Sequence, residues 1–247
     1  QFALYATGDA DLLGVSGITL GGSLSAWVNT TGIQEVDFGG TIGSIDYGTT
    51  DDIYAFRGED LEFSVNDFVS ISGSVSFQYT GGQVLAIGED ISASLDLSET
   101  VYARVEGANF GLFMEGDEFG FEVSGGSFSL GLGDFANVGA DSVTVQYTNA
   151  DTTITALTDI EIFGSTYTFN NAIAASTVSF IAYGFSANLL DVVTLEGDFG
   201  FSQVGDEFTA VGDNVDATIA AGAVSAGIRY GSFGLVYRDA KIAFEGS

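Results

Sequence analysis

Carboxylates are the reactive side chains this sequence supplies in number: 34 Asp and Glu stand against five Lys and Arg, with no histidine and no cysteine. A Ser-His-Asp triad and a thiol nucleophile are therefore closed off, and the usual ligands of zinc and other transition metals are missing. A lone lysine, Lys241, makes a Ser-Lys dyad remote. Paired carboxylates of the glycosidase kind remain. With so many acids such pairs arise by chance, so no catalytic and no cofactor-binding residue is expected, and the chain reads as non-enzymatic. The second use of carboxylates is a hard cation, because calcium takes oxygen ligands from side chains and carbonyls. The acids cluster where turns are expected, at Asp51-Asp52, Glu59-Asp60, Glu89-Asp90, Asp117-Glu118, Asp206-Glu207 and Asp213-Asn-Val-Asp216. Asp213, Asn214 and Asp216 are the expected calcium ligands, with Glu89 and Asp90 at the equivalent turn one repeat earlier. The competing use of these residues is solubility, since charged turns keep strand edges from pairing between molecules. Neither an EF-hand loop nor the Gly-Gly-x-Gly-x-Asp nonapeptide of calcium-binding β-rolls is present.

The elements that must carry these groups are written as repeats. Val193-Thr-Leu-Glu-Gly197-Asp-Phe-Gly-Phe201 lies over Val69-Ser-Ile-Ser-Gly73-Ser-Val-Ser-Phe77, and the same offset sets Gly212 on Gly88. After a one-residue gap, Phe233-Gly-Leu235 falls on Phe110-Gly-Leu112 and Phe244-Glu245 on Phe121-Glu122. An earlier copy opens with Ile18-Thr-Leu-Gly-Gly22, and its closing stretch, residues 54–65, reads like residues 112–123. The divisions expected are a lead-in strand over 1–17, repeats over 18–65 and 69–135, a degenerate repeat over 136–189 and a repeat over 193–247. The last stops short of the run that continues residues 124–135, which favours a segment of a longer chain. Together they predict one continuous all-β unit: a repetitive antiparallel β-meander forming a sandwich-like or strongly coiled sheet, with almost no helix.

Apolar residues alternate with Ser, Thr or Gly, the period of a half-buried strand. Gly-Gly pairs and acidic dipeptides supply turns, placed at 80–82, 88–90, 115–118 and 124–126. A single helical turn is conceivable at Asn170-Asn-Ala-Ile-Ala-Ala-Ser176. Two strands change phase midway: apolar positions are even up to Tyr230 and odd from Phe233, with the same change at Gly107-Ala-Asn109. A β-bulge or sheet corner does this, and two packed sheets sharing strands would use it.

Twenty-one phenylalanines and a positive mean hydropathy exclude a disordered acidic tail. A net charge of −29 repels nucleic acid and anionic lipid headgroups alike, so neither is an expected partner. Such charge suits surroundings rich in salt or divalent cations. No apolar run is long enough for a membrane-spanning helix.

The Ser-x-Ser-apolar phrases and Gly231-Ser-Phe-Gly-Leu235 resemble the β-rich units of giant secreted bacterial adhesins and extracellular matrix proteins. The resemblance implies a structural or adhesive module at the bacterial cell surface or outside the cell, stabilised by calcium. It associates with itself through sheet edges, as a filament would, or with a surface glycan or protein. The alternative is a porin-like outer-membrane β-barrel, which would make the membrane a partner and would use strands of about ten alternating residues.

Overall fold

Alternating strands fold back on one another here through two-residue connections. Thr80 pairs with Gln83 across Gly81-Gly82, Glu115 with Glu118, Val204 with Glu207 and Arg238 with Lys241. Residues 239 and 240, Asp and Ala, both take positive φ (51° and 57°), as hairpin turns that follow the twist of the strands require.

The computed structural model describes residues 1–9, 18–65, 69–154, 159–169, 172–222 and 224–247. Its strands are β1 (Ala3–Asp9), β2 (Ile18–Asn29), β3 (Glu35–Asp37), β4 (Ser44–Asp46), β5 (Ile53–Val65), β6 (Val69–Thr80), β7 (Gln83–Asp96), β8 (Val101–Glu115) and β9 (Glu118–Leu132). There follow β10 (Ala136–Ala140), β11 (Ser142–Thr148), β12 (Asp159–Ile162), β13 (Ser165–Thr168), β14 (Thr177–Leu189), β15 (Val193–Val204), β16 (Glu207–Ala221), β17 (Val224–Arg238) and β18 (Lys241–Gly246). Among the described residues 14 strands form one antiparallel sheet in the order β1-β2-β5-β6-β7-β8-β9-β10-β14-β15-β16-β17-β18, and β11 continues the line of β10 between β9 and β14. The fold is thus an all-β meander, and no helix occurs among the described residues. The helical turn expected at 170–176 is absent where it can be seen: Ile173 bridges to Ile154, and 170–171 lie outside the described residues.

Hydrogen-bond registers run alike in several hairpins. Val69 pairs with Leu95 and Val193 with Ile219; Val84 pairs with Met114 and Phe208 with Tyr237. The hairpin of β2 and β5 has the same design as β6 with β7 and β15 with β16. Glycines at φ 129°, 131° and 144° (Gly22, Gly73, Gly197) mark the first strand of each, and Asp60, Asp90 and Asn214 at φ 49°, 51° and 50° mark the second. These registers set β5 over β7, so residues 54–65 correspond to 84–95 and not to 112–123. The two-residue turn of the later copies is replaced in the first by the excursion that carries β3 and β4.

The tripeptides at 88–90 and 124–126 are not turns between strands. They lie inside strands: in β7 the ladder absorbs an extra residue as a bulge and the strand runs on, and in β9 Gly125 and Gly126 take positive φ (70° and 73°) while the register with β8 is kept. Between the pairs Ser72–Ser92 and Ser74–Glu89, two steps on β6 match three on β7. The phase change read from the sequence therefore does not move apolar residues to the other side. On β6, which keeps one parity throughout, Val69, Ile71, Val75, Phe77 and Tyr79 share a face; their partners on β7 are Leu95, Ala93, Gly88, Ala86 and Val84. Directly opposed residues project to the same face, so the bulge resets the alternation and one face stays apolar across the whole strand. Contacts spanning the bulge line agree: Ala140, Val143 and Ala182 form one cluster with Phe128 and Phe185, and the Phe185 and Phe199 rings meet edge to face at 5.3 Å.

The two faces differ completely in chemistry. One carries rows such as Phe56, Phe77, Ala86, Leu112, Phe121 and Tyr147, with rings stacked between neighbouring strands. The other carries Ser25, Arg57, Ser76, Ile87, Glu122, Gln146 and Ser179. On this second face lies the hairpin of β12 and β13, a separate two-stranded sheet where the sequence alternation suggested more of the main one.

Candidate functional site

Among the described residues, the seat of the β12–β13 hairpin is where a charged side chain, that of Glu122, is wholly buried. Alternation puts Ile160, Ile162 and Tyr167 on the buried side of the hairpin. With Phe169 and Ile173 they pack on Ile87, Leu85 and Phe113. Glycine makes the approach possible: a Cβ on Gly111 would overlap the Tyr167 ring, and one on Gly120 would overlap Ile154. Trp27 stacks on Phe163 at 4.6 Å with the rings 3° from parallel, while Tyr47, from just beyond β4, meets Phe163 edge on.

Under the hairpin the polar groups are joined in two chains. Glu122 is wholly buried; its Oε1 accepts from the Tyr167 hydroxyl at 2.8 Å and its Oε2 from Gln146 Nε2 at 2.6 Å. Ser124 bonds the Tyr167 hydroxyl at 3.0 Å, and Ser179 donates to Gln146 Oε1 at 3.0 Å. In the second chain Ser76 donates to Ser165 and Ser165 to Glu89 Oε2, each at 2.9 Å. Arg57 closes this chain, at 3.1 Å from Glu59 and 4.0 Å from Glu89, and its Nη1 donates to the Phe163 carbonyl. A carboxylate out of water is tolerated when its oxygens are bonded in this way. Burial pushes the Tyr167 hydroxyl above the ordinary tyrosine range; the hydrogen bond with Ser124 pulls it back in part, and the neighbouring Glu122 carboxylate raises it.

The five expected calcium ligands fall into two places one repeat apart. Both places are mid-strand bulges, not turns between strands. Asp213 faces Asp198 across β15 and β16, Asn214 is the bulge residue at φ 50°, and Asp216 Oδ1 accepts the Tyr230 N–H at 2.7 Å. At the equivalent bulge Glu89 is engaged by Ser165, and the Asp90 N–H donates to Asn109 Oδ1 at 3.1 Å. Among the described residues no three His, Cys, Asp or Glu groups are grouped closely enough to hold a metal ion.

Alternation alone did not single out Glu122, Tyr167, Gln146 or Ser165. The signal that could have found them is glycine inside a strand at Gly111 and Gly120, which marks a close approach from outside the sheet. Searches against protein-family models, curated proteins and solved structures find no match to this chain.

Proposed function

We propose that the chain is a non-enzymatic structural or adhesive module of a large bacterial protein at the cell surface or outside the cell. The supporting observation is the sheet itself: hairpins of one design, in one register, added side by side. A meander of this kind grows by repeating its unit and carries carboxylates such as Glu196, Asp198, Asp213 and Asp216 in facing pairs. Its buried charged groups are engaged in holding the inner hairpin, which suits a scaffold more than a reaction centre. Calcium enters this reading as a counter-ion between facing carboxylates such as Asp198 and Asp213.

The second reading, the wall of an outer-membrane β-barrel, draws on the uninterrupted apolar face opposite a polar face that holds a folded hairpin. Barrels in membranes turn apolar residues outward and place polar groups and plugs within. Lipid also demands that every edge be closed, and among the described residues β1 and β18 do not pair with each other. Expression without detergent separates the two: a monodisperse chain in sedimentation velocity supports the module, and a chain recovered only with detergent, folded in micelles, replaces it with the barrel.

A further inference from the structure

The turn of the β12–β13 hairpin puts a bulky ring where its backbone resists one. Ile162 pairs with Ser165, so the turn is Phe163-Gly164, and both residues take positive φ (39° and 96°). Two-residue turns of this kind favour Asn, Asp or Gly at the first place, and a bulky residue there is strained. Three contacts hold it: the Phe163 ring lies on Trp27, Tyr47 meets it edge on, and its carbonyl accepts from Arg57 Nη1 at 3.4 Å. Held so, the ring forms one wall of a recess of about 380 Å³, with Asp46, Tyr47, Gln78, Thr80 and Glu161 among the others. That volume falls in the lower part of the range of small-molecule sites. Two of the polar groups here lack partners. The Thr80 hydroxyl oxygen is buried with no hydrogen bond; the other such atom among the described residues, Arg57 Nε, belongs to the side chain that bonds the Phe163 carbonyl. The Gln78 amide likewise makes no hydrogen bond among the described residues. A buried polar atom without a partner is rare and costly, so this recess is one whose hydrogen bonds are completed by what enters it. Asp46 is already set for that: the Gly48 N–H at 2.8 Å and Gln34 Nε2 at 3.1 Å bond its Oδ1 and hold its carboxyl below the usual carboxylate range.

The occupant follows from the inventory of donors and acceptors. The carboxylates of Asp46 and Glu161 only accept, so they turn away phosphate and carboxylate groups. An ammonium only donates; it would serve the carboxylates and leave the Gln78 amide hydrogens unanswered. Calcium takes six to eight oxygens, and among the described residues no three acidic groups are close enough together to hold an ion. Adjacent sugar hydroxyls both donate and accept, and the C–H face of a sugar ring suits the Phe163 wall. We propose, resting on the adhesive reading above, that this recess binds one pyranose unit of a neutral glycan. Asp46 and Glu161 accept from its hydroxyls, the Gln78 amide donates to one, and the Thr80 hydroxyl gains the partner it lacks.

Trp27, the single tryptophan of the chain, reports on the recess because Phe163 stacks on it. The methyl glycosides of glucose, galactose, mannose and N-acetylglucosamine are each titrated into the whole chain while Trp27 emission is followed. At least one is expected to shift the emission saturably, and Thr80→Val and Gln78→Leu each weaken that binding at least tenfold. Neither lowers the thermal midpoint: valine keeps the shape of threonine and removes an orphaned hydroxyl, and leucine keeps the bulk of a side chain that bonds nothing in the free protein. The midpoint thereby separates loss of the site from loss of the fold. No saturable response to any of these glycosides, or binding by either variant as tight as that of the wild type, overturns the proposal. So does an equal response to tetramethylammonium, which assigns the recess to a cation. Each of these failures leaves the structural module standing, since sedimentation without detergent tests that reading on its own.

Discussion

Tyr230 holds a backbone conformation that the preceding repeat gives to glycine: its φ is 54°, and the equivalent residue on β8 is Gly107 at 69°. A bulky side chain at positive φ is strained by about 1–3 kcal/mol, whereas Asp60, Asp90 and Asn214 take the same region with residue types that tolerate it. Tyr230 is 81% exposed, so its ring contributes little burial to offset the strain. Its N–H bond to Asp216 is made by the backbone and survives substitution. Tyr230→Gly is therefore expected to stabilise the chain by about 1 kcal/mol, after the entropic cost of glycine is subtracted, and the urea midpoint measures it. A lower midpoint would mean that the ring has a packing role.

At the scale of elements, the β12–β13 hairpin is held by its apolar side and by the Tyr167 hydroxyl on Glu122. Tyr167→Phe keeps the ring and removes the donor, which at neutral pH should cost about 1.5–3 kcal/mol because a buried carboxylate loses a partner. The sign with pH follows from the raised hydroxyl. In the unfolded chain tyrosine ionises near pH 10, while in the folded chain Tyr167 keeps its proton, so its contribution is complete below about pH 10 and is lost as pH rises beyond it. The gap between wild type and Tyr167→Phe should stay constant up to about pH 9 and narrow as pH rises past about 10 in urea unfolding. The hydroxyl of Tyr47, also raised by burial, is common to both proteins and cancels. A gap of constant width would show that Tyr167 does not titrate with folding. This hairpin also marks where the sequence ceased to be legible. The long strands, their two-residue turns and the mid-strand bulges at Gly107 and near Tyr230 follow from alternation and from residues that accept positive φ. Ile160, Ile162, Tyr167 and Phe169 alternate in the same way as main-sheet strands. Period two reports that one side is buried and is silent about what buries it. The bulges misled for a related reason, since an inserted residue changes parity in the sequence and preserves the face in space. The acidic stretches at 89–90 and 213–216 read as turns because Asp and Asn serve turns and bulges alike.

Across the whole molecule an apolar face as wide as the sheet lies opposite a polar one, and a charge of −29 is spread over the same strands. Exposed apolar surface of that extent is rare on monomers and is covered by a partner, a second sheet or lipid. The charge opposes close approach of any two such sheets, and within one sheet it sets like charges in register: Asp198 faces Asp213, Glu196 faces Asp216 and Glu115 faces Glu118. Directly opposed like charges destabilise a sheet. The few ion pairs, such as Arg104 with Asp96 at 2.7 Å and Arg238 with Glu207 at 3.2 Å, are partly exposed and offset little of this. Salt shortens the reach of these repulsions from about 30 Å at 0.01 M to about 3 Å at 1 M. The thermal midpoint should therefore rise steadily with NaCl across that range, as it would not in a protein held by surface ion pairs. Divalent cations gather more strongly at paired carboxylates, so CaCl₂ should raise the midpoint further than NaCl at equal ionic strength. As a counter-ion without a built cage, calcium should do no more than magnesium. Asp198→Asn removes one facing pair and should flatten the divalent response. A midpoint that falls with salt would show that attraction between unlike charges outweighs repulsion in the folded sheet. A calcium response that saturates where magnesium has none would support a specific site at Asp213, Asn214 and Asp216.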